Sequence, residues 1–480
     1  MKLFTCIVSC WVFAACVWGA PVLTLNDFLS QVKAKHLGYQ ASQLVSQGAM
    51  ERSLEGELLT SPQLFSNLSY LDDQRPTNNP AFLGRRTVFE NYTLGVAQQT
   101  SFGLSAKLSY RVTRTELFGV NSAFVPLPKF YDAAPQLELT QPLWRNGLGS
   151  ETRATALVVE AQAKATSLAE SLKSKLILAE AEGAYWRLAV ARQLVTVAQN
   201  GVERAKKIQE WSKRRASLAL ADKSDALQAE AGLQGKQLEL QLALDEEREA
   251  LKQFNSLRGL DSEKCEETFE AVSPEKIAEL KPIERQGKRE DVLAADEMRK
   301  AAQAASQLGK EKNAPTFDLI SSYGLNGRDS SLSKGISDAT RTAQSTLALG
   351  IKFAAPLDLG TLNSDRAGYL KEEKGAELNY QRKLFEEEIE WNELNVRFNE
   401  AQRRLKMAQS IEKVQQQKLE NERARLKTGR SVLYQVVLFE QDYANSQVMT
   451  LKTELQILAL MAQMKTYMNA TGTKTSGEKL

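Results

Sequence analysis

Few residues of this chain have the types and spacing that catalysis or metal binding requires. His36 is the only histidine among 480 residues, so a Ser-His-Asp triad or a histidine-rich metal site has almost no material. Cys265 has neither a neighbouring base nor a nucleophile motif around it. We therefore expect a packed or exposed helix position for His36, an unreactive thiol at Cys265, and no enzymatic activity.

Two other patterns have both a chemical and a structural interpretation. Gly147-Leu148-Gly149 follows a strand and opens a helix, as a dinucleotide-binding loop does, but Thr152 stands where the third glycine belongs. Glu386-Glu387-Glu388 and Asp245-Glu246-Glu247 resemble metal clusters, but their Lys and Arg neighbours favour solvated helix faces. The sequence predicts neither a cofactor nor a metal.

The composition favours long helices. The chain has 12 prolines and 7% aromatic residues, and Ala, Leu, Glu, Gln, Lys and Arg fill long uninterrupted runs. Lys and Arg number 62 against 59 Asp and Glu, a net charge of +3, which does not indicate a nucleic-acid partner.

The first residues have the pattern of a secretory signal. A basic residue, Lys2, precedes an apolar run of roughly 15 residues, the length of a signal-peptide core, so residues 1–20 are predicted to be removed after Gly19 or Ala20. Phe13-Ala14-Ala15-Cys16 also resembles a bacterial lipobox, and lipidation at Cys16 is the alternative. Residues 471–480 are expected to be a flexible tail.

Strict alternation of apolar and polar residues predicts β-strands in two blocks, 63–144 and 313–357. The clearest is Leu104 to Thr113, about ten residues with one apolar and one polar face, which is typical of a transmembrane β-strand. The edge of a soluble β-sandwich is the alternative. Asp72 to Arg86 and Thr115 to Asp132 are predicted to be long outer loops.

A strand that leads through proline and glycine into a long helix occurs twice. Pro142, Gly147 and Gly149 lie at the first junction, and Pro356 and Gly360 lie at the second. The repeated pattern predicts an internal duplication.

Helical periodicity follows each junction. It predicts a first helical hairpin over 145–258 and a second over 358–470. The return helix of each hairpin is shorter than its outgoing helix, so end-to-end partners are expected. These are an N-terminal helix over 21–62 and a stacking helix over 284–312, the latter preceded by an equatorial linker over 259–283.

Together these motifs resemble the TolC-type outer-membrane efflux protein family. The matching stretches are Leu137–Arg153, Leu347–Arg366, Phe254–Gly259, Arg289–Leu293, Ala314–Leu319 and Leu426–Ser431. The resemblance implies a mainly α fold with a β-barrel segment in outer-membrane lipid. It further implies a homotrimer whose helices extend into the periplasm of a Gram-negative bacterium. Such a channel exports cargo in efflux or type I secretion, and it receives that cargo from an inner-membrane transporter through a periplasmic adaptor protein.

The chain departs from the family pattern at two places. Tyr92–Gln99 and Leu104–Thr113 form an extra predicted hairpin, so four or six strands per protomer remain open. Just beyond the second hairpin tip, members of the family often carry acidic residues that face the pore where the tunnel narrows, and Tyr434 and Gln435 stand at the corresponding places here. Asp222 and Asp225 at the first tip are then the candidates for a carboxylate ring, and weaker cation selectivity is expected.

The turn Gly429-Arg430-Ser431 at the second tip is a candidate for adaptor docking or gating, or is simply a tight turn between helices. A different function, that of a periplasmic adaptor or coiled-coil scaffold, would also use helical hairpins. It predicts one hairpin and a small lipoyl-like domain or an inner-membrane anchor.

Overall fold

The computed structural model of the chain describes residues 22–218, 222–265, 267–269, 274–341 and 344–468. The predicted signal peptide, the lipidation candidate Cys16 and the tail 471–480 lie outside the described residues. The chain divides into two compact units. The first contains residues 1–44, 170–289 and 386–480, and the second contains residues 45–169 and 290–385.

Long helices dominate the described residues, as the composition predicts. Helix α4 spans Ser150–Ser217 (68 residues) and α9 spans Leu359–Lys427 (69 residues), each about 100 Å long at a rise of 1.5 Å per residue. Two shorter helices follow them, α5 at Lys223–Leu257 and α10 at Leu433–Met464. The predicted class, mainly α with long helices and a β-sheet, is confirmed.

The N-terminal segment is divided, unlike the single helix expected over 21–62. It contains strand β1 (Val22–Leu23), helices α1 (Leu25–Lys35) and α2 (Leu37–Arg52), and a 3₁₀ segment at Ser53–Thr60. His36 lies between the helices in an extended conformation, and its Nδ1 accepts a hydrogen bond of 3.0 Å from the backbone N–H of Tyr39. The expectation that His36 is a helix residue is therefore wrong, because its imidazole caps α2.

The linker before the stacking helix contains two short regular elements, and the stacking helix itself begins later than predicted. Strand β6 (Thr268–Phe269) pairs in parallel with β1, and α6 covers Pro274–Glu279. Helix α7 spans Glu290–Lys312 and so begins six residues after the predicted start at 284.

One antiparallel sheet contains six long strands in the order β2-β3-β4-β5-β7-β9. Their bounds are Gln63–Asp73, Arg86–Gln99, Ser105–Phe118, Lys129–Pro142, Thr316–Leu325 and Ser345–Ala354. A short strand β8 (Gly327–Asp329) pairs with β5, while α3 (Pro80–Leu83) and α8 (Leu332–Asp338) lie in connections. The extra hairpin β3–β4 is therefore part of the sheet.

The strand register places the apolar residues on one face of the sheet. A continuous row crosses all six strands through Leu64, Val96, Leu108, Leu137, Tyr323 and Leu347. The opposite face is more polar, with an ion pair of 3.5 Å between Lys107 and Glu138. The two edge strands, β2 and β9, expose much of their apolar face; Leu64 is 75% and Leu349 71% exposed.

The first unit has an aromatic core. The rings of Phe28 and Phe254 stack with centroids 4.3 Å apart, and both residues are fully buried. The buried Tyr185 donates its hydroxyl to the carbonyl of Leu23 over 2.7 Å, which satisfies its polar end. This core joins α1, α4 and α5 at the end of the first unit that is far from the hairpin turns.

Among the described residues, no helix combines the length and the apolar character that crossing a bilayer requires.

Candidate functional site

The second hairpin ends in a turn whose geometry the sequence specifies closely. After α9 ends at Lys427, Gly429 adopts a left-handed φ of +72°. The N–H of Arg430 donates to the carbonyl of Arg425 over 2.9 Å, and that of Gly429 donates to Leu426 over 3.1 Å. These two bonds form a Schellman motif, which needs glycine at the left-handed position. The geometry of this turn is sufficient to explain why position 429 is glycine.

A buried carboxylate holds the other side of this turn. Glu422 is only 5% exposed. It accepts a hydrogen bond from the Ser431 hydroxyl, and Arg425 pairs with it at 3.3 Å. Tyr434 and Gln435 are solvent-exposed in the first turn of α10. The turn is thus fixed from inside, while its outer surface remains free for contacts.

The first hairpin turn connects α4 to α5. Helix α4 ends at Ser217 and α5 begins at Lys223, and residues 219–221 between them lie outside the described residues. Asp222 occupies the N-cap position of α5 without a side-chain capping bond, and Asp225 lies in the first turn. Negative charge is favourable at a helix N-terminus, so both carboxylates have a structural explanation besides the predicted carboxylate ring.

The two hairpins contact each other near their turns. Glu440 on α10 is 7% exposed and pairs with Arg204 on α4 at 2.9 Å and with Arg423 on α9. Gln441 on α10 donates to Glu239 on α5 over 3.3 Å. A buried carboxylate shared by two guanidinium groups fixes α10 against the first hairpin. Glu440 does not stand out in the sequence, because a single acidic residue on a helix has no distinctive signal.

At the first strand-to-helix junction, the residues with a left-handed backbone are not the two glycines that the sequence singled out, except for Gly149. Asn146, Leu148 and Gly149 have positive φ values of 59°, 52° and 77°, whereas Gly147 does not. A Cβ atom on Gly149 would lie 2.0 Å from the carbonyl oxygen of Ser101, while one on Gly147 would have no neighbour within 4 Å. Of the two glycines singled out from the sequence, only Gly149 is required by the backbone.

The junction is also fastened to the sheet. Pro142 is the last residue of β5, and the next N–H, of Leu143, donates to the carbonyl of Phe317 over 2.7 Å. Arg145 pairs with Glu151 at 2.9 Å, and the Asn146 side chain accepts from the N–H of Thr152 over 3.0 Å. These bonds connect the end of the sheet to the first turn of α4.

The second junction has a different local structure. Strand β9 ends at Ala354, the exposed Pro356 follows, and α9 begins at Leu359. Asp358 accepts hydrogen bonds from the N–H and hydroxyl of Thr361 over 3.0 and 2.6 Å, which makes it the N-cap. Gly360 lies in the first helical turn, and its φ is not positive.

A buried ionic cluster lies where the sequence predicts a solvated helix face. Glu387 is completely buried; it accepts from Arg285 Nη2 over 2.7 Å and from the backbone N–H of Arg289 over 2.6 Å. The neighbouring Glu388 also binds Arg285, and Glu390 binds Arg289, each over 2.7 to 2.8 Å. The predicted solvated face is therefore wrong at Glu387, which fixes the segment before α7 to α9.

The acidic triplets and Cys265 are the residues whose types suggest chemistry in the sequence. In the part of the chain that the structure describes, no group of three or more His, Cys, Asp or Glu is arranged around a possible ion. Burial and a hydrogen bond to Glu267 raise the pKa of the Cys265 thiol, which disfavours its nucleophilic form.

The arrangement of six strands and two long helical hairpins has close counterparts among solved structures. The CmeC outer-membrane channel of Campylobacter jejuni superposes with a TM-score of 0.65 at 13% identity, over 97% of this chain and 93% of that one. The channel protein CusC gives 0.65 at 12% identity, over 96% and 95%. The outer-membrane protein VceC of Vibrio cholerae gives 0.62 at 14% identity, over 92% and 95%.

This chain has the fold of a TolC-type outer-membrane channel. The resemblance drawn from the junction and turn motifs is confirmed at the level of the fold, over nearly the whole length. No protein-family model matches the chain, and no curated protein matches it in sequence. At 12 to 14% identity the TolC-type fold is retained with largely different side chains, so the tips and junctions of this chain have to be interpreted from their own residues.

Proposed function

We propose that this chain is the outer-membrane channel component of an envelope-spanning efflux or type I secretion system in a Gram-negative bacterium. The observation that carries the proposal is the six-stranded sheet with a continuous apolar face, joined to helices of 68 and 69 residues. Rows of exposed leucine and tyrosine side chains on a sheet are stable in hydrocarbon and costly in water.

The open edges of this sheet argue for a homotrimer. In lipid, unpaired N–H and C=O groups on β2 and β9 have no water to bind, so the edges need partners. A six-stranded sheet is also too small to close on itself, because membrane barrels have at least eight strands. Six strands from each of three copies give an eighteen-stranded barrel in which β2 of one copy pairs with β9 of the next.

The internal duplication fits the same proposal. Each half supplies strands, a strand-to-helix junction and a long helical hairpin, and the first half adds the β3–β4 hairpin. Three copies of two similar hairpins surround a central passage with six hairpins, a larger ring than three single hairpins would form.

In this proposal the hairpins project into the periplasm, and their turns meet a periplasmic adaptor and an inner-membrane transporter. The residues proposed for docking or gating are Asp222, Asp225, Gly429, Arg430, Ser431, Tyr434 and Gln435. Cargo passes outward through the lumen without a covalent step. The alternative function, that of an adaptor or scaffold, does not explain what would cover the apolar face of the sheet.

The experiment is to express the full chain in a Gram-negative host, separate inner and outer membranes on a gradient, and run the purified protein on gels with and without heating. We expect outer-membrane fractions and a heat-dependent change in mobility. A periplasmic or inner-membrane protein without heat-dependent mobility would contradict the proposal.

Two matched variants test the apolar face itself. Leu349 and Ala348 are adjacent on β9, both exposed, and point to opposite faces. In a bilayer, Leu349→Lys on the apolar face should cost about 2–4 kcal/mol and reduce the heat-resistant form, whereas Ala348→Lys should change it little. Equal, small effects of both substitutions would indicate that no lipid contacts this face.

A further inference from the structure

The two hairpin turns concentrate the positive charge of the chain. Residues 213–218, 222–225 and 422–435 contain eight Lys or Arg and three Asp or Glu, a net charge of +5, whereas the whole chain has a net charge of +3. The remaining residues are therefore slightly acidic, and the basic character belongs to the hairpin ends.

Two carboxylates near these turns, Glu422 and Glu230, are paired with neighbouring side chains. Glu422 is buried beneath the second turn against Ser431 and Arg425. On α5, hydrogen bonds from Gln209 and Lys213 hold the pKa of Glu230 below its usual range, so this group stays ionised and is occupied by its neighbours. These acids contribute little negative charge to the outer surface.

The cations at the turns are directed outward. Four exposed side chains have no hydrogen-bond or ion-pair partner within the described residues: Arg214, Lys223, Lys427 and Arg430. In the same two segments Asp222 is exposed and Asp225 half-exposed. Over the two turns together, four unpaired cations thus accompany two accessible carboxylates, and the excess of cations lies at the second turn, where Glu422 is buried.

The contacts between the hairpins bring these cations to one end of the first unit. Glu440 on α10 meets Arg204 on α4 at 2.9 Å, and a Cβ on Gly232 of α5 would lie 3.7 Å from Val437. Glu440 is seven residues from the start of α10 and Arg204 is thirteen from the end of α4. The two turns therefore end within about 10 Å of each other along the helix axes.

Resting on the proposed channel function, we infer that this end of the hairpins is an anion-selecting entrance. Clustered cations beside low-dielectric protein raise the local concentration of anions and repel cations, and rings of Lys and Arg select anions in other pores. A trimer places three sets of these cations around one axis. The substrate class favoured at the entrance is therefore small anions and cargo with a net negative charge.

The test is the reversal potential of the purified full-length protein in planar lipid bilayers under a tenfold KCl gradient, with K⁺ and Cl⁻ as the probes. The wild type should be more permeable to Cl⁻ than to K⁺, and the preference should weaken as the salt concentration rises, because ions screen the charges. In the double variant Lys427→Gln/Arg430→Gln the permeability ratio should fall at least twofold towards unity. Lys281→Gln, an exposed linker lysine distant from both turns, is the matched control and should leave the ratio unchanged.

A cation preference in the wild type would overturn the inference, as would a chloride preference that the double variant leaves unchanged. Unchanged thermal stability of the double variant shows that a changed ratio does not come from misfolding. A protein that inserts no conducting channel at all would refute the proposed function instead, so the two failures are distinguishable.

Discussion

Replacing Glu387 by glutamine should weaken the attachment of the segment 285–289 to α9. Glu387 is fully buried and receives two short hydrogen bonds, 2.7 Å from Arg285 and 2.6 Å from the N–H of Arg289. Glutamine keeps the size but removes the charge, and its amide NH₂ would face one of these donors. Removing one partner of a buried ion pair typically costs about 3–5 kcal/mol.

For Glu387→Gln we expect a loss of stability in the lower part of that range. Arg285 is 21% exposed and keeps a second carboxylate, Glu388, at 2.7 Å. We therefore expect Glu387→Gln to lower the free energy of unfolding of this region by about 3 kcal/mol. The control is Glu388→Gln, which removes the 59% exposed carboxylate from the same arginine. It should cost less than about 1 kcal/mol.

The assay is amide hydrogen exchange of the intact protein, followed by mass spectrometry of peptides covering 283–293. Exchange in Glu387→Gln should accelerate there by about a hundredfold, as expected for about 3 kcal/mol of lost local stability, and much less in peptides of the sheet. Equal exchange in the two variants, or an unchanged rate in Glu387→Gln, would refute the assignment of this carboxylate as the fastening point.

Two other predictions follow from single residues. Gly149→Ala should destabilise the first junction by at least about 2 kcal/mol, because the φ of Gly149 is positive and a Cβ would meet the Ser101 carbonyl. Gly147→Ala should be close to neutral, because a Cβ there has no neighbour within 4 Å. Thermal unfolding of both variants checks this, and equal melting temperatures would contradict it. On α10, burial and the nearby Glu412 carboxylate raise the pKa of Glu454 to about 7, above the 4.5 expected of the unfolded chain. The folded state therefore binds the extra proton, and its stability should fall as pH rises from about 4.5 to 7, by up to about 3 kcal/mol. Melting temperatures between pH 5 and 8 should show a smaller decline in Glu454→Gln than in the wild type; parallel curves would exclude Glu454 as the source.

The sequence predicted the sheet well where one face is apolar and the other polar. Alternation located the central part of each long strand, but β3 and β4 extend beyond it to Arg86 and Phe118. The additional length is held by cross-strand ion pairs, such as Arg86 with Asp72 at 2.8 Å, which periodicity does not report. Because the strands are longer, the observed loops between them are shorter than the predicted outer loops.

The helix boundaries depended on side chains whose role appears only in three dimensions. The break at His36 arises from an imidazole that caps α2, an unusual residue for that role. The late start of α7 arises from the buried Glu387, which binds Arg285 and the backbone of Arg289 and lies 98 residues beyond Arg289 in the chain. A local pattern cannot identify such a partner.

The candidate site was predictable in position but less so in chemistry. Gly429 and the strand-to-helix junctions stood out because glycine and proline mark turns. The inward pairing of Glu422 and Glu440, and with it the outward basic surface, required knowledge of which helix faces meet.

Disulfide cross-linking between the two edge strands tests the central claim most directly. Within one copy, β2 and β9 are five strand spacings apart, about 24 Å along the sheet, which is too far for a disulfide. In a Cys265→Ser background, Asn67→Cys on β2 is combined in turn with a cysteine at Thr346, Ala348, Gly350 or Lys352 on the same face of β9. We predict that at least one pair gives a covalent trimer on non-reducing gels, and that Asn67→Cys with Gln136→Cys on the central strand β5 gives none. A folded protein that remains monomeric for every edge pair would contradict a shared barrel of three copies.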